Sequence, residues 1–161
     1  MAASTFTVRL VDGVKRSSRR AIAFLSCSGD RKIDAGVVFG GLKHKKELEV
    51  RSRFDYWIDG SRSDKWFHGW PNDLGYKQCF VFKWRDNNQH HRLYGFLCNP
   101  QPITNSSFQL CVLVSHAIKT KWETDPHELD GANSFRANPA VRAAIAKLFP
   151  EMKVGKNPWV I

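Results

Sequence analysis

Apolar side chains alternate from Cys79 to Asp86, with Phe80, Phe82 and Trp84 on one side of the run. Such a period of two predicts a β-strand with a buried face. Asn87-Asn88-Gln89-His90 reads as a polar turn, and His91–Cys98 resumes an extended pattern. The block therefore predicts a β-hairpin with a loop of about four residues. Pro100 and Pro102 end its second strand. Residues Phe108–His116 (FQLCVLVSH) are almost wholly apolar. A strand that offers both faces to apolar neighbours belongs in the middle of a sheet, and this one is expected to be central.

The flanking segments are less periodic. Phe6, Val8 and Leu10 alternate and predict a short strand ending at Asp12-Gly13, whereas Lys15–Leu25 predicts a helix with a basic first turn. Ser26–Asp30 reads as a turn. Ile33–Leu42, with Gly36, Gly40 and Gly41, is expected to be a loop or a weak strand. Between Lys45 and Ile58 two readings stay open: a helix with Leu48, Phe54, Trp57 and Ile58 along one face, or a strand through residues 54–58. Ser61–Lys77 is rich in turn signals and predicts a loop. Near the C-terminus, Asp125-Pro126 opens a turn, Glu128–Phe135 predicts a helix, and Asn138-Pro139 caps a second helix with Val141, Ile145 and Leu148 on one face. An irregular tail is expected after Pro150.

Length and composition change this picture little. The chain's 161 residues, 42% of them apolar, suit one compact domain with a real core. Its longest apolar runs, Ala21–Leu25 and Leu110–Val114, are far shorter than a membrane span, and no signal-peptide pattern opens the chain, so a cytoplasmic location is expected. The four cysteines Cys27, Cys79, Cys98 and Cys111 form no CxxC pair and are expected to be reduced core thiols. Charge says more. The net charge is +10, and residues 1–53 carry 12 Lys and Arg against 5 Asp and Glu. Such a surface attracts phosphate polyanions or an acidic protein.

One order of motifs is familiar. The run HHRLYGF (residues 90–96) is followed by an apolar strand ending in His116-Ala117-Ile118-Lys119-Thr120-Lys121, and then by Thr124-Asp125-Pro126-His127-Glu128-Leu129 with Ala132. This resembles the phage-derived branch of the RelE/HigB toxins of type II toxin–antitoxin systems, in the RelE/ParE superfamily. There an Arg-aromatic-x-Phe strand precedes a strand ending in two lysines, then a Thr-Pro-x-x-Glu helix. The two lysines here are separated by Thr120. The resemblance covers roughly residues 79–136. It implies an α+β fold, a small antiparallel sheet with helices packed on one face, spanning residues 46–161, with residues 1–45 as a basic N-terminal extension. The implied activity is a metal-independent endoribonuclease (an mRNA interferase) with no cofactor. It would cleave mRNA on the ribosome and be silenced by a cognate antitoxin of helix-turn-helix type.

Metal-free RNA cleavage needs a base for the 2′-OH, cations for the phosphorane and an acid for the leaving 5′-oxygen. Arg92, an arginine in an apolar strand, is the first candidate for a phosphate fork. Lys119 and Lys121, two apart at a strand exit, would share a face and clamp phosphate. Tyr94 shares the face of Arg92 and could stack a base or move a proton, and His91 could shuttle protons. His90 beside it is weighed as a turn histidine. Arg16, Arg19, Arg20, Lys83 and His116 are candidate RNA contacts. His68 has no ligand-spaced partners for a metal. Two alternatives remain: a non-catalytic toxin of the same fold that binds DNA gyrase, and a plain nucleic-acid-binding module.

Overall fold

The alternating segments pair into one sheet around the apolar strand at 109–119. In the computed structural model, which describes residues 5–15, 17–120 and 124–150, six strands line up in the order β1-β2-β6-β5-β4-β3. They are β1 (Phe6–Leu10), β2 (Arg20–Cys27), β3 (Phe67–Gly69), β4 (Cys79–Asp86), β5 (Gln89–Cys98) and β6 (Gln109–Lys119). Helices α1 (Ala35–Gly40) and α2 (His44–Ile58) link β2 to β3, and α3 (Pro126–Ala137) and α4 (Pro139–Ala146) follow β6. The fold is α+β, as expected, and β6 is central.

Several expectations change. The sheet is mixed, because β2 runs parallel to β6 while every other pair is antiparallel. Helices cover both faces. Ile22 and Phe24 of β2, Phe80, Phe82 and Trp84 of β4 and Leu93 of β5 pack with Phe39, Val50, Phe54 and Trp57 of α1 and α2. Their neighbours Ala23, Leu25, Phe96, Leu110 and Val112 pack under Val141 and Ile145 of α4. Finally, residues 20–25 of the segment expected as a helix at 15–25 lie in strand β2. Its run AIAFL is apolar on both sides, and a site between β1 and β6 buries both faces, which overrides a weak helical preference. Residues 6–40 of the stretch expected as an extension thus provide two strands and α1.

Ile33–Leu42 also differs, being helical over α1. Ala35 and Phe39, one turn apart, are both buried. Gly36 lets this helix ride close to β2, since a Cβ there would sit 3.3 Å from that of Phe24. Of the two readings for 45–58 the structure has the helix, α2. The β4–β5 hairpin is tighter than expected. Asn87 and Asn88 both adopt positive φ (51° and 61°), which closes a two-residue turn and puts Gln89 and His90 in β5. The three buried cysteines and the half-buried Cys27 are free thiols. Among the described residues, no helix is long and apolar enough to cross a membrane.

One irregularity decides which side chains share a face. Along β6, Cys111 and Leu113 point toward α1 and α2. The β5–β6 register then slips: Gly95 lies opposite Leu113, but Tyr94 lies opposite Ser115, so Val114 is an extra residue. This β-bulge reverses the parity of β6 beyond it and turns Ser115, Ala117 and Lys119 toward the α3 face. Only glycine fits opposite it, because a Cβ on Gly95 would fall 2.1 Å from the Val112 carbonyl oxygen.

We predict that Gly95→Ala lowers the unfolding free energy by about 2 kcal/mol or more, a backbone overlap that side-chain repacking does not relieve. Gly131→Ala, in α3 with nothing within 4 Å of its would-be Cβ, should instead be neutral or stabilising by up to ~1 kcal/mol. Thermal and denaturant unfolding of the two variants measures both.

Candidate RNA-cleaving site

The bulge brings the cationic side chains together. Lys83 of β4 lies directly across from Arg92 of β5, and Arg92 lies across from Ala117 of β6. One step toward the hairpin tip, His90 pairs with Lys119. One step the other way, His68, Val81, Tyr94 and Ser115 form a row across β3 to β6. Cross-strand partners project to the same side of a sheet, so Lys83, Arg92, Lys119, Tyr94 and His68 share the α3 face. Helix α3 covers only the part over Cys79, Val81 and Tyr94, where Leu129 and Ala132 pack. The cationic row lies beyond its N-terminus.

Several contacts hold Lys83 in place. Its backbone N–H donates to the Trp66 carbonyl at 2.8 Å, its own carbonyl accepts from Arg53 Nη1 at 2.6 Å, and its ammonium donates to the Asp64 carbonyl. Burial, then the charges of Arg92 and Lys119, pull its pKa from 10.5 down to about 8. Arg92 and Lys119 are lowered too, each mainly by burial. Burial likewise lowers His68, with Lys83 and Arg92 adding to the effect. Tyr94 is 3% exposed, and burial raises its phenol. No carboxylate forms a salt bridge with Lys83, Arg92 or Lys119 among the described residues. Three half-buried cations without a carboxylate salt bridge favour an incoming anion.

Beside the row is an open cavity of about 410 Å³, lined by Tyr94, Ala117, Lys119, Thr120, Thr124, Asp125 and Glu128 among others. Asp125 caps α3, its Oδ1 accepting from the His127 N–H at 2.9 Å. Glu128 Oε2 accepts from the Ser115 hydroxyl at 2.6 Å.

The other expected residues lie elsewhere. His91 and His116 project to the opposite face, where His91 Nδ1 and His116 Nε2 are 2.9 Å apart. His91 stacks on Trp84, with ring centroids 5.0 Å apart and planes at 13°. Adjacent strand residues face opposite ways, so His91 does not join Arg92. Arg20 pairs with Gln109, at the end of β6 remote from Lys119, roughly 30 Å away along the strand. Its Nε donates to Gln109 and its Nη1 to the Trp57 carbonyl. Arg19 is exposed beside it. Arg16 and Lys121 fall outside the described residues. No group of three or more His, Cys, Asp or Glu suited to a metal ion occurs among the described residues. The sequence reading passed over the central place of Lys83, along with Ser115 and Glu128. The hairpin register could have found Lys83, but only the bulge places Ser115 beside Glu128.

No protein-family model matches this chain, no curated protein matches its sequence, and no solved structure matches its fold.

The depressed Lys83 gives a pH signature. Its folded pKa of about 8 lies below the ordinary 10.5, so between these values the unfolded chain binds more protons than the folded one. This group therefore makes stability rise with pH across that window, with its penalty fully present below about 8. Lys83→Met should flatten that rise relative to the wild type, as measured by denaturant unfolding between pH 7 and 10.5.

Proposed function

We propose that the chain is a RelE/HigB-like toxin acting as a metal-independent endoribonuclease, with the α3 face of the sheet as its active site. The observation that carries this reading is the convergence of Lys83, Arg92 and Lys119 from three neighbouring strands, with no carboxylate salt bridge to any of them among the described residues. A scissile phosphodiester supplies the missing negative charge, and the extra charge of the phosphorane is stabilised more than that of the ground state. Arg92 presents a planar fork and Lys119 a point charge to the non-bridging oxygens.

Proton transfer falls to groups on the same face. With a pKa near 8, Lys83 populates both its amine and ammonium forms near neutrality, so it can take a proton from the 2′-OH or return one to the 5′-oxygen. His68, lowered below its usual value by burial, is a neutral imidazole at pH 7 that can accept or relay a proton. Buried Tyr94 keeps its proton and can hydrogen-bond the phosphate or the ribose. The motif order around HHRLYGF supports the toxin assignment, and with it mRNA, the ribosome and a helix-turn-helix antitoxin as partners and the cytoplasm as the place of action.

Expression of the chain in cells should arrest growth and create new 5′ ends in mRNA, mapped by primer extension. Arg92→Ala with Lys119→Ala should abolish both. Single Arg92→Ala should slow RNA cleavage by roughly 10²–10³-fold, the usual loss for one charge-stabilising donor. Growth arrest without new RNA ends would overturn the nuclease reading in favour of inhibition of a protein target.

A further inference from the structure

A lysine becomes a nucleophile when its surroundings disfavour the ammonium and its amine stays within reach of solvent. Lys83 meets both conditions. It is half-buried in β4, on the face that α3 leaves open beyond its N-terminus. Arg92 stands directly across from it on β5, and Lys119 follows on β6. Burial and these two cations favour the neutral amine, against the opposing charge of Asp64, and bring its pKa down to about 8. The side-chain nitrogen also donates an N–H to the Asp64 carbonyl. A carbonyl only accepts, so this bond holds the amine while leaving its lone pair free. Other lysines are held differently. Lys15 is raised by Asp59, and Lys46 is ion-paired with Glu49 at 2.9 Å.

The neighbours of Lys83 also define the electrophile. Arg92 and Lys119 favour a phosphate beside the amine. An acyl phosphate, the mixed anhydride of a carboxylic acid and phosphate, carries its reactive carbonyl one oxygen away from that phosphate. Docked on the two cations, it presents the carbonyl carbon to Lys83. The amine nitrogen bonds to this carbon, and the carbon–oxygen bond to phosphate breaks. The products are an amide, inorganic phosphate and a proton, which passes to water. Negative charge grows first on the carbonyl oxygen and then on the departing phosphate, and the adjacent cations stabilise both.

We propose that Lys83 is a self-acylation site, taking its acyl group from small acyl phosphates docked on Arg92 and Lys119. The modification replaces an ammonium with a neutral amide and removes one of the three charges of the row. In the ribonuclease reading this silences the site, whereas the acylation itself depends only on the geometry of the row.

Acetyl phosphate is the probe. The purified chain is incubated with it, and acetylation of each lysine is followed by peptide mass spectrometry. At pH 8 about half of Lys83 is free amine, against less than about 1% of an ordinary lysine. A less basic amine is a weaker nucleophile, which offsets part of this advantage. Lys83 should still react at least roughly tenfold faster than the exposed Lys43 and Lys45. Its rate should level off above pH 8, while theirs climb toward pH 10. Inorganic phosphate should protect Lys83 alone. Arg92→Ala should slow Lys83 by roughly tenfold and leave Lys43 and Lys45 unchanged, with Arg92→Lys restoring part of the rate. Circular dichroism confirms that each variant folds. Acetic anhydride, which has no phosphate to dock, should show a smaller preference for Lys83. Equal rates at Lys83 and Lys43, or a Lys83 rate indifferent to inorganic phosphate, would overturn the proposal. The readout is a mass shift, so a chain that acylates at Lys83 without cutting RNA overturns only the ribonuclease reading.

Discussion

The β5–β6 ladder, with the extra residue Val114 opposite Gly95, is the constraint on which the candidate site depends. Strand geometry fixes side-chain direction by parity, and a two-residue period is unforgiving. A continuous register would send Ser115, Ala117 and Lys119 to the face under α1 and α2. One inserted residue reverses them. Before the bulge β6 is a core strand, with Leu110, Val112 and Val114 against α4 and Cys111 and Leu113 against α1 and α2. After it, the same strand carries polar groups toward the mouth of the cavity. The bulge is possible because position 95 has no Cβ, and the backbones of β5 and β6 can approach there.

The cations on that face are held at a cost that the rest of the fold must offset. Lys83, Arg92 and Lys119 are each partly buried near like charges, and all three are pushed toward their neutral forms. Their positions persist because the sheet beneath them is rigid on both sides. Phe54 and Phe82 meet edge to face at 4.9 Å under the row, and Trp57 packs against Phe80 and Phe82. Arg53 reaches across from α2 to hold the Lys83 carbonyl while its guanidinium lies over Trp66. Nine of the aromatic residues thus belong to one core layer that supports this face of the sheet from behind.

The two faces of β5 and β6 also divide their polar residues by character. Arg92, Tyr94 and Lys119 lie on the open side. His91 and His116 lie against Trp84 on the other, close enough to share one proton, and burial lowers both from their ordinary value. The Asp34 carboxylate accepts from the His116 backbone N–H where β2 no longer reaches β6. That cluster closes the end of the sheet that β2 leaves uncovered, so the two histidines are structural neighbours of the site and not members of it.

By itself the sequence determined the β4–β5 hairpin, the central strand, the C-terminal helices with the Asn138 cap, and the pairing of Arg92 with Tyr94 on one face. Each of these is a local property, set by a period of two, a turn dipeptide or a cap. It did not determine that Arg20–Cys27 is a strand, because an apolar run of this length suits a helix or a doubly buried strand equally and only the neighbours β1 and β6 choose. Nor did it place α1 and α2 on the face opposite α3 and α4. The meeting of Lys119 with the Lys83–Arg92 pair, and of Ser115 with Glu128, was decided by the tertiary structure alone. A one-residue slip between paired strands leaves no local periodic signal, yet it reassigns every side chain beyond it.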